Sequence, residues 1–173
     1  MKGIKQKEDS SIKNFIYLFV ILMVIWMALT LSLNKQELLL GITLISILSI
    51  TLYRNYQKIG LPGVTIKKVF FLCIYIIILF KEIVIANLDV AYRVIHPKMP
   101  IKPGIVIIKT GLKQDLAKMI LANSITLTPG TFTLDIDGDR LLIHWINVKT
   151  DNIDEATKMI GGRFEKYLKV IFN

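Results

Sequence analysis

Long apolar blocks occupy the first half of this chain, and short alternating ones the second. Residues 15–33, FIYLFVILMVIWMALTLSL, contain no charged side chain. Nineteen residues at about 1.5 Å each give roughly 28 Å, close to the hydrocarbon thickness of a bilayer. A second block, residues 38–53, LLLGITLISILSITLY, gives roughly 24 Å on the same rise. Only Asn34-Lys35-Gln36-Glu37 separates the two. So short a polar link predicts a transmembrane helical hairpin, with Gly41, Ser46 and Ser49 allowing close helix contact.

The third block, residues 69–80, is too short to cross a bilayer alone and runs on into KEIVIANLDVAYRVIHP. At about 100° per residue, Glu82, Ala86, Asp89, Arg93 and His96 share one face of a helix. Asp89 precedes Arg93 by four positions, the orientation that best supports a helix. Two readings compete. As a third span, residues 69–95 would bury charges in lipid and leave a basic domain outside. As an amphipathic, membrane-associated helix, they keep that domain in the cytoplasm. Charge bias favours the second. Burial at membrane depth would instead make Glu82, Asp89 and Arg93 ion-pathway candidates, because intramembrane charges usually serve a function.

From Pro97 the period changes. Prolines at 97, 100 and 103 stiffen a linker, and residues 104–108 read as a short buried strand. Leu112, Leu116, Met119 and Ile120 follow at helical spacing, predicting a helix over 112–123. Thr128-Pro129-Gly130-Thr131 fits a type II turn. Thr131 to Asp137 then alternates, with Phe132, Leu134 and Ile136 on one side and threonines and aspartates on the other. Gly138-Asp139 turns the chain into a partner strand over 141–148. Last, Asp151 is placed to cap one helix whose apolar stripe is Ile153, Ala156, Ile160, Phe164, Leu168 and Ile171. The fold class is therefore α+β: a membrane hairpin, a membrane-associated helix and a small β-α-β-β-α domain. Its divisions are a basic cytoplasmic tail (residues 1–13), the hairpin (14–53), a basic loop with the amphipathic helix (54–96) and the cytoplasmic domain (97–173).

Composition agrees: 53% of the 173 residues are hydrophobic. A signal peptide is disfavoured, because an apolar core of this length exceeds the usual one of about 7–15 residues and no small-residue cleavage site follows. Lys2, Lys5, Lys7 and Lys13 precede the hairpin, and Arg54, Lys58, Lys67 and Lys68 follow it, while its link holds only Lys35. The positive-inside bias places both ends of the hairpin in the cytoplasm. The net charge of +9 lies mostly beside membrane segments, so anionic lipid explains it more simply than nucleic acid.

Candidate chemistry is sparse. Cys73 is the only cysteine and reads as a small buried hydrophobe, so there is no disulfide framework. Asp135-x-Asp137-Gly138-Asp139 has a calcium-loop look, but Arg140 and Ile146 stand where an EF-hand needs glycine and glutamate. His96 and His144 have no metal-ligand spacing, and no nucleophile or phosphate-loop motif is present. The expectation is no enzyme, no cofactor and no metal. Neither block of the hairpin holds an acidic, basic or histidine side chain, and proton relays at membrane depth need titratable groups.

One run remains. LANSITLTPGT, residues 121–131, followed by TLDID and His144, resembles the signature of the MrpE/MnhE family, the E-type subunits of the Mrp (Mnh) multisubunit Na+/H+ antiporters. KEIVIANLDVAYRVIHP, KPGIVIIKTGLK and FEKYLKVI resemble that family in order and spacing too, so the likeness covers nearly the whole chain. It implies an accessory subunit in a bacterial cytoplasmic membrane, assembled with partners of the A, B, C, D, F and G types. The A-type and D-type partners would hold the main ion pathways, and the small domain would be cytoplasmic. The run then supplies subunit contacts: Leu121, Ala122, Asn123, Ser124, Thr126, Thr128, Pro129, Gly130 and Thr131. The other reading is a stand-alone membrane-anchored binding or sensing module, in which the same run and the Glu82-Asp89-Arg93 stripe face solvent.

Overall fold

The computed structural model describes residues 2–32, 34–59 and 65–172, with side chains from 15–32, 34–52 and 65–172. The lysines of the basic tail, and Arg54 and Lys58, therefore lie outside the described side chains. The chain separates into two compact units, residues 1–61 and 62–173.

The first unit is a helical hairpin of α1 (Lys2–Thr30) and α2 (Lys35–Ile59). Helix α1 starts well before its apolar block but ends at Thr30, short of residue 33, while α2 outruns its block at both ends and begins inside the expected polar link. Gly41, Ile45 and Ser49, four apart on α2, are buried. A Cβ at Gly41 would come within 2.6 Å of Trp26 Nε1, so the missing side chain is what lets the indole lie against α2. Ser46 lies off that seam, only half-buried, its hydroxyl donating to the Ile42 carbonyl at 2.6 Å.

The second unit opens with α3 (Ile66–Ile95), thirty residues in a single helix. Then come β1 (Gly104–Lys109), α4 (Asp115–Leu127), β2 (Thr131–Asp137), β3 (Arg140–Trp145), α5 (Ile153–Ile160) and α6 (Gly162–Phe172). The strands form one antiparallel sheet in the order β1-β3-β2. Its inner residues Val106, Ile108, Leu141, Ile143 and Trp145 are buried in one core with Leu121 and Ile125 of α4, Ile160 of α5, and Phe164 and Leu168 of α6. The far side of this helix layer receives α3, whose Tyr75 joins the same core while Phe71 and Leu79 pack against it. The unit is thus three layers deep: sheet, short helices, long helix.

Several expectations need correction. The single C-terminal helix is two, broken at Gly161-Gly162, although Ala156, Ile160, Phe164, Leu168 and Ile171 do form its buried stripe. Asn152, not Asp151, caps it, its side-chain oxygen accepting from the Asp154 and Glu155 amides at 2.9 and 3.2 Å. Helix α4 starts later than expected and continues through Leu127, because burying Leu121, Ser124 and Ile125 outweighs the weak helix propensity of its β-branched residues. The alternation of β2 fails too: a bulge between Thr133 and Asp135 shifts the register, pairing Phe132 with His144 but Asp135 with Leu142.

Candidate functional site

The two groups of residues singled out in the sequence, Glu82-Asp89-Arg93 and the 121–131 run, meet where α3 lies against the domain. The run is mostly helix: Leu121 to Leu127 complete α4, and Thr128 to Thr131 make the turn. Gly130 has φ +90°, and the Thr131 amide donates to the Thr128 carbonyl at 3.3 Å, as the type II turn requires.

The threonines explain themselves by their bonds. Thr131 and Thr133 pair with the inward-facing Trp145 and Ile143, so both point toward α4. Thr128 Oγ1 and Thr131 Oγ1 each donate to the Ile125 carbonyl at 2.7 Å. Thr133 Oγ1 donates to the Ala122 carbonyl at 3.1 Å, and Thr126 Oγ1 accepts from the Thr133 amide at 3.2 Å. These bonds fasten β2 to the last turns of α4, where the Ile125 carbonyl faces Pro129 with no N–H to offer, and they cover the open edge of β2. The run is a stitch between helix and edge strand.

The expected contact residues differ in exposure. Leu121, Ala122, Ser124 and Thr128 are buried within the chain's own domain. Thr126, Pro129, Gly130 and Thr131 are half-buried, and Asn123 is exposed. Ser124 is also committed: its hydroxyl bonds that of Tyr75 on α3 and donates to the Ile120 carbonyl at 2.7 Å.

Charges of α3 are spent in the same way. Glu82 pairs with Arg163 of α6, whose guanidinium also donates to the Met159 carbonyl. Arg93 makes a bidentate pair with Asp89, at 2.8 and 3.0 Å, and donates to the Pro100 carbonyl at 2.5 Å. With its amide turned to satisfy both groups, Asn147 accepts from Arg93 at 3.0 and 3.2 Å. Between these fastenings runs a cleft of about 340 Å³, lined by Ile85, Ala86, Asp89 and Arg93 on one side and by residues 128–131, 145–147, Lys149, Met159 and Arg163 on the other. Its two arginines are already bonded, which suits a joint better than a reaction site. No group of three or more metal-ligating side chains occurs among the described residues.

Sequence reasoning missed Tyr75, Arg163 and Asn147. Tyr75 was the most legible, since it lies two helical turns before Glu82 on the same stripe. Nothing local marks Arg163 or Asn147 as partners of α3.

By length and composition the Lys35–Leu52 part of α2 and all of α3 (Ile66–Ile95) both qualify as membrane spans, and Phe15–Thr30 is a shorter apolar stretch. The family model described as MNHE, Na+/H+ ion antiporter subunit, matches residues 19–171. The E1-type Na+/H+ antiporter subunit of Staphylococcus haemolyticus is 34% identical over 92% of this chain and 95% of its own. The E-type Na+/H+ antiporter subunit of Alkalihalophilus pseudofirmus is 30% identical over 87% of this chain and 93% of its own. Among solved structures, one chain of the membrane-bound sulfane sulfur reductase, an archaeal respiratory membrane complex, is 48% identical with a TM-score of 0.83, covering 92% of this chain and 99% of that one. From residue 19 to residue 171, hairpin, long helix and stitched domain together, the chain belongs to the family of Na+/H+ ion antiporter subunits designated MNHE.

Proposed function

We propose that the chain is an accessory subunit of a hetero-oligomeric membrane complex that exchanges Na+ for protons, supplying anchorage and a docking domain but no complete ion pathway. The observation that carries this is the use of the charges: Glu82, Asp89 and Arg93 all serve to fasten α3 to the domain or to each other. The described spans of the hairpin, residues 15–30 and 38–52, hold no acidic, basic or histidine side chain. A relay at membrane depth has nothing to run on there.

In this reading α1 and α2 cross the membrane as a hairpin, with the N-terminus and the C-terminal domain in the cytoplasm. Helix α3 lies along the membrane surface. Support comes from where the domain touches it, from Phe71 through Tyr75 and Glu82 to Arg93. That stretch is roughly 33 Å long, as long as the hydrocarbon layer is thick. An upright α3 would drag a charged domain through lipid, whereas a flat one offers lipid the exposed Phe70, Ile77, Phe80, Leu88 and Val94. Of the expected contact residues, the exposed Asn123 and the half-buried Thr126, Pro129, Gly130 and Thr131 are left within reach of other subunits. The relatives are bacterial and archaeal, so the host membrane is that of a prokaryote.

Glu82→Gln in the intact complex tests the reading. The amide weakens the fastening to Arg163 by about 1 kcal/mol but leaves cation/proton exchange per assembled complex unchanged. Normal complex levels with exchange abolished would place Glu82 in the ion path and sink the proposal. A second reading, favoured by the higher identity to the archaeal chain, makes the host a respiratory complex rather than a free-standing antiporter. Identifying the subunits that purify with the chain decides between them.

A further inference from the structure

The three-layer unit has an unused face. On β3 the inner residues Leu141, Ile143 and Trp145 are buried, so Arg140, Leu142 and His144 point to the opposite side of the sheet. Register then fixes the whole outer face in rows. Ile105, His144 and Phe132 form one row, Ile107, Leu142 and Asp135 the next, and Lys109, Arg140 and Asp137 the last. The first two rows are apolar for most of their width, yet Ile105 is 61% and Phe132 51% exposed. Leu134, the residue left unpaired at the bulge, is 46% exposed beside this patch.

Lipid does not account for this patch. The apolar side of α3 and the outer face of the sheet lie on opposite sides of the helix layer. If α3 rests on the membrane, as the proposed function has it, the sheet's outer face looks away into the aqueous phase. The last row adds a charge signal. Lys109 and Arg140 stand directly opposite each other on neighbouring strands, an arrangement that costs stability for like charges, and neither is in an ion pair among the described residues. Asp137 flanks Arg140 from the other strand, which leaves Lys109 as the cation with no carboxylate beside it in the register.

We propose that the outer face of the β1-β3-β2 sheet is a docking surface for another, water-exposed subunit of the host complex. Its occupant presents apolar side chains to Ile105, Ile107, Leu142 and Phe132, and a carboxylate to the Lys109-Arg140 end. Ile105, Ile107, Leu142 and Phe132 supply the dry centre of the interface, and Lys109, which no carboxylate flanks in the register, fixes its orientation. This inference rests on the accessory-subunit reading and on a flat α3.

The test uses the purified intact complex. In a Cys73→Ser background, a single cysteine is placed at Ile107, the β1 member of the middle row, or at Lys158, an exposed control on α5. Each is labelled with a membrane-impermeant maleimide, in the complex and in the chain released from it. Docking slows labelling of Ile107→Cys in the complex by about tenfold or more, while the Lys158→Cys control labels alike in both. A photo-crosslinker at Leu142 then joins the chain to a different, identified subunit at an acidic segment outside the membrane. Equal labelling at Ile107 in complex and released chain overturns the inference, as does a crosslink to lipid or to a second copy. If the chain purifies with no other subunit, the accessory-subunit reading fails first and takes this inference with it.

Discussion

Gly130→Ala, read against Gly138→Ala, isolates what the turn contributes to seating α3. Both glycines have positive φ, +90° and +59°. An L-residue there costs roughly 1–2 kcal/mol of backbone strain in either case. Their surroundings differ. A Cβ at Gly138 meets nothing within 4 Å, so its substitution reports strain alone. At Gly130 the Cβ would lie 2.9 Å from Ile146 Cγ2 and 3.6 Å from Val90 Cγ2 of α3. Forcing a methyl into such a packed site adds about 1–3 kcal/mol, because the isoleucine or the helix must move. The expected losses are therefore roughly 1–2 kcal/mol for Gly138→Ala and about 2–5 kcal/mol for Gly130→Ala. In a unit of this size each kcal/mol shifts Tm by about 3–6 °C. Thermal unfolding of the purified full chain in mild detergent, followed by near-UV circular dichroism, reads the difference. A Tm for Gly130→Ala equal to or above that for Gly138→Ala would refute the claim that this turn is packed between Ile146 and α3.

Two further outcomes follow from the fold. Spin labels at Phe70, Ile77 and Val94 should report one shallow depth in the membrane if α3 lies flat, whereas a steady passage from one leaflet to the other would establish a span. Asn152→Ala should lower stability by about 1 kcal/mol, seen as a Tm drop of a few degrees, and Asp151→Ala should change it far less; the reverse ranking would restore Asp151 as the cap.

Much of the candidate site was legible as a set of residues but not as a role. The 121–131 run was conspicuous because three threonines and a Pro-Gly turn are unusual in so apolar a chain. From the sequence its threonines have two uses open to them, bonding backbone groups at the turn or meeting another surface. In the fold Thr128 and Thr131 bond the Ile125 carbonyl, and Thr126 accepts from the Thr133 amide, a partner that only the folding of β2 back along α4 supplies. Glu82 likewise announced itself on a stripe, while its partner Arg163 lies 81 positions away. No local pattern couples two positions across such a distance.

What the sequence alone determined is what depends on neighbours along the chain. Segment lengths and the absence of charge gave the hairpin; period and turn residues gave the strands, the type II turn and the amphipathic stripe. Tertiary structure decided the rest. It extended α4 through Leu127, because burial of Ile125 in the core outweighs local propensity. It shifted the register of β2 at a bulge, which pairs Ile136 with the buried Leu141 and sets Asp135 and Asp137 opposite the outward Leu142 and Arg140. It also laid the domain along α3, where Glu82 pairs with Arg163 and Arg93 reaches Asp89 and the Pro100 carbonyl. Hydropathy sees how apolar a helix is, but only the packed structure shows which of its faces is already occupied.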